Sequence, residues 1–136
     1  MQEQIGRYRR KRPVGSGGQA TVYLAEDTVL NRDVAVKVMH QLASSEPQYV
    51  EAFMGEARMA AGLTHPNIVT IYDFSTEGDF AYIVMEYIAN SLDKEIKEGR
   101  SKNIRRSVEH GMQICAALAF AHSKGIVHRD IKPHNI

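Results

Sequence analysis

The sequence has few cysteines, no long apolar segment and almost no net charge. It contains a single cysteine, Cys115, so an internal disulfide is excluded and a reducing compartment fits. The 17 basic and 16 acidic residues leave a net charge of +1, which argues against a nucleic-acid partner. No apolar run reaches the roughly 20 residues of a membrane helix, and the first residues lack the apolar core of a signal peptide. We therefore expect a cytoplasmic chain without a membrane segment of its own.

Hydrophobic and charged residues, at 43% and 24%, are present in ordinary globular proportions. Helical spacing of apolar residues predicts helices over about 46–63 and 104–123, with a short helix after residue 90. Because the strands come first and the helices follow, the order predicts an α+β fold in two parts, 1–87 and 88–136, and not alternating βαβ units. Apolar and polar residues alternate or cluster as in β-strands over five segments, at 7–14, 20–26, 33–39, 68–74 and 80–87.

A glycine-rich turn, VGSGGQATV (14–22), joins the first two predicted strands. Glycines let a backbone approach a ligand closely, although an ordinary β-turn explains this stretch alone equally well. The strand–turn–strand context disfavours a Rossmann site and a Walker-type P-loop. It leaves the protein-kinase type of glycine-rich loop, with Ala20 in place of the third glycine. We expect the alanine to stiffen the loop tip.

Lys37 ends the VAVK run of the next strand, where a cation could reach phosphates held by the glycine turn. Glu56, in the apolar helix, is the candidate carboxylate to hold that lysine. Taken alone, Lys37 is also explained by an exposed strand face, and Glu56 is better explained by ordinary surface exposure, the usual location of glutamate. Their combination with the glycine turn favours a phosphate-binding role.

The HRDIKPHN run near the C-terminus contains the highest density of side chains able to take part in catalysis. Asp130 can accept a hydroxyl proton, Lys132 can neutralise a phosphoryl group, and Asn135 can offer an oxygen to Mg²⁺. We interpret His128 as a packed scaffold residue and His134 as a surface residue. A chance charged loop is the less favoured interpretation, because several specified positions match within one stretch.

These motifs together resemble the eukaryotic-type (Hanks-type) protein kinase family, and in detail a bacterial serine/threonine protein kinase. The resemblance runs from about Arg7 to Ile136 and covers nearly the whole chain. It implies an antiparallel five-stranded N-lobe with one αC-type helix, followed by the first helices and the catalytic loop of a helical C-lobe. The motifs stand in family order: GSGGQATV, VAVK, Glu56, HPNIV, IVMEY and HRDIKPHN.

The resemblance implies an ATP site in the first part of the chain. The backbone of the glycine turn would cover the phosphates, Lys37 would pair with phosphates and with Glu56, and Met85 would be the gatekeeper. Backbone groups of Glu86 and Ile88 would bind the adenine edge, and Val14, Val22 and Ala35 would line its pocket. The implied nucleotide-binding residues are Val14, Gly15, Ser16, Gly17, Gly18, Val22, Ala35, Lys37, Glu56, Met85, Glu86 and Ile88.

The resemblance also implies the reaction, phosphoryl transfer from Mg-ATP to a protein serine or threonine hydroxyl. Asp130 would be the catalytic base, Lys132 would assist it, and Asn135 would bind Mg²⁺. The segment after the hinge is about one residue short, which leaves Asp93 or Ser91 as the candidate ribose contact. The basic run at 7–12 is interpreted as a solvated edge.

The resemblance further implies that this sequence is the N-terminal part of a kinase domain. The D-F-G and activation segments of the family would follow Asn135, so we expect the chain alone to be inactive. Any membrane anchor would lie beyond residue 136. A non-catalytic nucleotide-binding or decoy module is the alternative. We also expect exposed apolar surface on the 104–123 helix, because part of its usual packing would lie outside the chain.

Overall fold

The computed structural model describes residues 4–17, 20–39, 47–78 and 80–136, without the side chains of Glu56 and Ser101. The strands within these residues are β1 (Gln4–Ile5), β2 (Tyr8–Ser16), β3 (Ala20–Asp27), β4 (Arg32–Met39), β5 (Ile71–Glu77) and β6 (Phe80–Glu86). The helices are α1 (Pro47–Ala61), α2 (Leu92–Lys97) and α3 (Ile104–Ser123), with 3₁₀ turns at Arg100–Lys102 and Pro133–Asn135.

All strand pairs in the described residues are antiparallel, as the sequence predicts. The strand order is β1-β2-β3-β4-β6-β5, so the described part of the sheet has six strands where five were predicted. The additional strand, β1, is only two residues long and pairs with the start of β2. It escapes prediction because so short a strand shows no alternation to detect.

The sheet buries side chains on both of its faces. Val34, Val36 and Val38 of β4 belong to one core cluster, together with Tyr8 and Tyr82. The next residues along the strands point the other way and form a second cluster under α1. That cluster contains Met39, Phe53, Ala57, Ala81 and Ile83. Alternation along β4 therefore places Ala35 and Lys37 on the face that carries α1.

Residues at the start of the chain bond to β5, the strand at the opposite end of the strand order. The Tyr8 hydroxyl donates to Asp73 Oδ2 at 3.1 Å, and the Gly6 amide donates to Glu77 Oε2 at 2.8 Å. Burial, with the Asp73 hydrogen bond second, raises the pKa of Tyr8 to about 12. These contacts tie the two edges of the sheet together across the Tyr8 cluster.

The basic run at 7–12 is mostly exposed, as its interpretation as a solvated edge implies, and its cations have partners within the first unit. Arg9 bonds Glu26 at 2.7 Å, and this contact lowers the pKa of the Glu26 carboxyl. The other partners are Asp27 for Arg7, the Tyr23 ring for Arg10, Asp33 for Lys11 and the Tyr87 hydroxyl for Arg12.

The chain divides into two compact units. One unit is Met1–Gly62 with Thr70–Tyr87, and the other is Leu63–Val69 with Ile88–Ile136. In the second unit the His65 ring lies 5.2 Å from the Phe120 ring of α3, which joins the HPNIV segment to that helix. The division into kinase lobes at 1–87 and 88–136 remains a prediction.

Helix α3 begins and ends with local caps. The Asn103 side chain accepts from the Arg106 amide at the N-terminus, an arrangement that satisfies an otherwise unpaired helix donor. At the other end Gly125 has φ +75°, the left-handed conformation typical of a residue after a helix. The sequence boundaries of this helix are confirmed at both ends.

One face of α3 is apolar and exposed, as expected from the sequence. Ile104 is 82% exposed, Met112 is 68% exposed and Val108 is 56% exposed. Cys115 on the same face is also exposed. In the part of the chain that the structure describes, none of the helices combines the length and apolar character that a bilayer crossing requires.

Replacing Gly6 with alanine should destabilise the first unit more than the same change at Gly78. Both glycines have left-handed φ values, +53° and +56°, so each alanine costs about 1–2 kcal/mol of backbone strain. Only at Gly6 would a Cβ meet another group, the Tyr82 hydroxyl at 2.8 Å. Urea unfolding should show an excess loss of about 1 kcal/mol or more for Gly6→Ala. Equal losses in the two variants, or an excess that persists beside Tyr82→Phe, would contradict this contact.

Placing lysine at Ile104 or Met112 should reduce binding of a hydrophobic dye. Both side chains are mostly in solvent, so the free energy of unfolding should change by less than about 0.5 kcal/mol. The control is Gln113→Lys, which adds the same charge at an exposed polar position of the helix. A loss of roughly 2 kcal/mol on substitution would instead show that this face is packed.

Candidate active site

The glycine turn is a β-hairpin between β2 and β3. The Gly17 amide donates to the Ala20 carbonyl at 2.9 Å and closes the described part of the turn. Gly18, a predicted phosphate-binding residue, lies outside the described residues. Apart from adjacent residues, the nearest described atom to a Cβ on Gly15 would be Val22 Cβ at 3.9 Å. For Gly17 it would be the Ala20 carbonyl oxygen at 3.8 Å, and neither glycine has a left-handed φ. Neither packing nor backbone conformation therefore requires glycine at these two positions.

Strand register brings the predicted nucleotide residues into adjacent rows across the sheet. Gly15 is paired with Val22, and Val22 is paired with Lys37. Because neighbouring strands are about 4.8 Å apart, Lys37 starts roughly 10 Å from the glycine hairpin. In the next row Ala35 is paired with Met85. The structure thus unites residues that the sequence separates by tens of positions.

The predicted pocket-lining residues differ in burial. Ala35 is buried, Val22 and Met85 are half-buried, and Val14 is 40% exposed. Ser16 is the last residue of β2 and is exposed. An apolar strip flanked by exposed hairpin residues suits a ligand with one flat apolar part and one charged part.

Lys37 is half-buried on the α1 face of β4. Its ammonium lies 5.6 Å from the centre of the Phe53 ring, so the aromatic face stabilises the cation. Glu56 lies on α1 one turn beyond Phe53, but its side chain is outside the described residues. The predicted Lys37–Glu56 pair therefore remains a prediction.

The end of β6 is held by Thr70. The Glu86 amide donates to the Thr70 carbonyl at 2.9 Å, and the Thr70 amide donates to the Glu86 carboxylate at 3.3 Å. A bond from Glu86 to an adenine edge would therefore have to use the Glu86 carbonyl. Ile88, the other predicted backbone contact, is 53% exposed in the second unit. Thr70 could not be identified from the sequence, since its role depends on strand pairing.

Asp130, Lys132 and Asn135 are brought together in the second unit. Lys132 Nζ lies 2.8 Å from Asp130 Oδ2, and Asn135 Nδ2 donates to the same oxygen at 3.2 Å. Asn135 Nδ2 also donates to the Asp130 carbonyl at 2.9 Å. The Lys132 hydrogen bond, and to a lesser extent Asn135 and His128, lower the pKa of Asp130. The carboxylate is therefore ionised at neutral pH and mostly exposed to incoming groups.

The backbone fixes the shape of this loop. Pro133–Asn135 forms a 3₁₀ turn in which the Asn135 amide donates to the Lys132 carbonyl at 2.8 Å. Arg129, just before the aspartate, has φ +64°, a left-handed conformation unusual for a residue with a Cβ. Such strain tends to persist where surrounding bonds fix the chain, and it is common at functional sites.

The two loop histidines differ from each other in role. His128 is exposed, so its interpretation as a packed residue is wrong. Its ring does serve the loop, because His128 Nδ1 accepts from the Asp130 amide at 3.2 Å and folds back on the chain instead of entering a core. His134 is exposed as expected, and its Nε2 lies 3.4 Å from Asp93 Oδ1.

Both candidate ribose contacts already have local partners. Ser91 caps α2, where its Oγ accepts from the Lys94 amide at 3.2 Å. Asp93 Oδ2 lies 2.8 Å from Lys97 Nζ. Among the described residues, no cluster of three or more His, Cys, Asp and Glu side chains could hold a metal ion. An oxygen site here would therefore combine Asp130 or Asn135 with oxygens of a ligand.

Replacing Lys132 with methionine should raise the pKa of Asp130 towards its ordinary value. The lysine bond is the largest cause of the lowered pKa, and methionine keeps the length of the side chain without its charge. Because the pKa of Asp130 is lowered, the Lys132 contact stabilises the native state at pH values above the ordinary pKa of an aspartate. This stabilisation is lost as the pH falls through the lowered pKa. A carboxyl-carbon NMR titration measures the change, with Lys102→Met as control. An unchanged Asp130 titration would refute the pairing.

Comparisons with known proteins identify the family of this chain. The family model described as the protein kinase domain matches residues 8–136. A probable serine/threonine-protein kinase of Clostridium acetobutylicum is 48% identical over 96% of this chain, which spans 20% of that protein. The serine/threonine-protein kinase PrkC of Bacillus subtilis is 46% identical, with the same coverage of both chains. The serine/threonine-protein kinase PknA of Mycobacterium tuberculosis is 40% identical over 96% of this chain and 32% of its own length.

The chain spans about a fifth of the length of the first two of these relatives. The matched region begins with β2 and includes the glycine hairpin, Lys37 and the Asp130 loop. The chain therefore belongs to the protein kinase family, as the order of its motifs indicated.

Proposed function

We propose that this chain is the nucleotide-binding and catalytic-loop part of a serine/threonine protein kinase, which transfers a phosphoryl group from Mg-ATP to a protein hydroxyl. The observation that carries the proposal is the Asp130 loop, where a lysine ammonium and an asparagine side-chain amide both lie within hydrogen-bond distance of the aspartate carboxylate. The names of the relatives support serine or threonine as the acceptor.

The glycine hairpin and Lys37 would bind the phosphates. Gly15 and Gly17 have room for a Cβ, so the need for glycine would come from a ligand close to the backbone. Lys37, two strands away and on a fixed row of the sheet, would supply positive charge to the phosphates. Ala35 and Met85, side by side on neighbouring strands, would pack against the adenine.

Asn135 and Asp130 fit a magnesium ion by the chemistry of their donors. Mg²⁺ prefers oxygen ligands and shares them with the phosphates of its nucleotide. Asn135 uses its amide nitrogen for Asp130, so its side-chain oxygen is the atom able to bind the cation. The ion, when bound, would neutralise charge on the phosphates.

Asp130 would accept the proton of the attacking hydroxyl. Its lowered pKa keeps it ionised, and its exposure leaves it accessible to a protein side chain. Lys132 would stabilise negative charge on the transferred group, because its ammonium is held beside the base. Asp93 and Ser91 remain the candidate ribose contacts, and each would have to leave or share its present partner.

Nucleotide binding can be tested on the chain itself by calorimetry. Gly15→Ala and Gly17→Ala should lower the affinity for Mg-ATP about tenfold, or about 1.4 kcal/mol, with unfolding free energies nearly unchanged. Lys37→Met should also weaken binding. Gly55→Ala is the control, since a Cβ there meets nothing within 4 Å on helix α1. Equal affinities in all variants would remove the hairpin from the site.

Catalysis is best tested in a protein that carries this chain at the length of its relatives. Asp130→Ala should lower phosphoryl transfer to a protein substrate by about 10²–10⁴-fold and leave ATP binding largely intact. Unchanged turnover would refute the assignment of the base. Nucleotide binding without any transfer by the unaltered protein would favour the non-catalytic module instead.

A further inference from the structure

Helix α2 contacts the catalytic turn on both sides of Asn135. The Leu92 amide donates to the Ile136 carbonyl at 2.6 Å, after Asn135 in the chain. Before Asn135, His134 Nε2 lies 3.4 Å from Asp93 Oδ1. All of these residues belong to the second compact unit. The metal-binding amide is thus bracketed by two contacts to one short helix.

Asp93 is well placed to be the fixed end of this contact. Its side chain is only 20% exposed, whereas that of His134 is 63% exposed. Its other carboxylate oxygen is held by Lys97, one turn along the same helix. That bond is the largest cause that lowers the pKa of Asp93, so the acceptor stays charged. Asp93 Oδ1 therefore faces His134 of the catalytic turn, while Oδ2 is held by Lys97.

The helix that carries Asp93 is itself anchored. Ser91 caps its first turn, and Glu95, which is buried, pairs with Arg106 of α3. Among the described residues, one carboxylate oxygen of the buried Glu95 has no hydrogen-bond partner, so loss of Arg106 would leave a buried charge unpaired. Movement of Asp93 would thus require movement of α2 against α3.

We propose that Asp93 is a positioning residue for Asn135 and acts through His134. The Asp93–His134 contact restrains the Pro133–Asn135 turn from helix α2. The bonds from Asn135 to Asp130 restrain the same turn within the loop. The side-chain oxygen of Asn135 is then held in one direction, ready for the cation. The effect on magnesium rests on the proposed function, but the effect on the Asn135 side chain does not.

The first measurement is the NMR signal of the Asn135 side-chain amide in the 136-residue chain. Asp93→Ala and His134→Ala should move its two proton shifts towards those of a free asparagine, because the bonds to Asp130 are weakened. His134→Gln retains a donor at this position and should restore part of the shift. Glu98→Ala removes one negative charge from the same segment, where Glu98 pairs with Arg100, and should leave the signal unchanged.

The second measurement is the gain in ATP affinity on adding Mg²⁺. Outer contacts of a metal ligand typically contribute 10–100-fold, so His134→Ala, which removes no candidate ribose contact, should reduce this gain about tenfold and leave metal-free binding unchanged. An unchanged Asn135 signal in both alanine variants overturns the positioning role. Because His134 is mostly exposed, His134→Ala should keep the fold even if Asp93→Ala does not.

The two readouts separate this proposal from the proposed function. Suppose that the unaltered chain binds no ATP but the Asn135 signal changes as expected in the Asp93→Ala and His134→Ala variants. The positioning role is then supported and the proposed nucleotide site is refuted. If Mg-ATP binds and neither variant changes the signal or the metal-dependent gain, the nucleotide site stands and the positioning role falls.

Discussion

The arrangement of the first unit depends on one strand, β4, that is paired on both edges and buried on both faces. Val34, Val36 and Val38 enter one core, and Met39 enters the core under α1. Because the side-chain period of a strand is two, a slip of one residue would exchange the two sets. Lys37 is placed by this constraint, since the valines on either side of it leave its side chain only the α1 face.

In the second unit, the Asp130 loop is held together mainly by bonds between residues close in sequence. Asp130, Lys132 and Asn135 lie within six residues of one another, and the 3₁₀ turn between them closes their contacts. Their mutual geometry needs no distant strand to fix the register. The contacts from α2 are the exception, since they bring Leu92 and Asp93 to the loop from elsewhere in the sequence.

This difference explains how much the sequence could predict. The strands, the helices and the members of the catalytic loop follow from local periodicity and local spacing. Their places agree with the structure except for β5, which is observed at Ile71–Glu77 and predicted at 68–74. The strand β1, the bond between Tyr8 and Asp73 and the ionic partners of the basic run depend on residues far apart in the chain. No periodic pattern encodes such pairs, so the sequence predicted the exposure of the basic run but not its partners on other strands. His128 was misjudged for a related reason, because an irregular segment has no buried face to infer.

The pairing of Asp130 with Lys132 has a further consequence for the proposed reaction. In the free chain the lysine neutralises the aspartate and lowers its proton affinity. A phosphoryl group that drew Lys132 to itself would weaken that bond, and the aspartate would become a stronger base at that moment. By linkage, protonation of the aspartate would in turn release the lysine towards the phosphoryl group. The ion pair would thus keep the proton affinity of Asp130 low until the charge of the substrate draws Lys132 away.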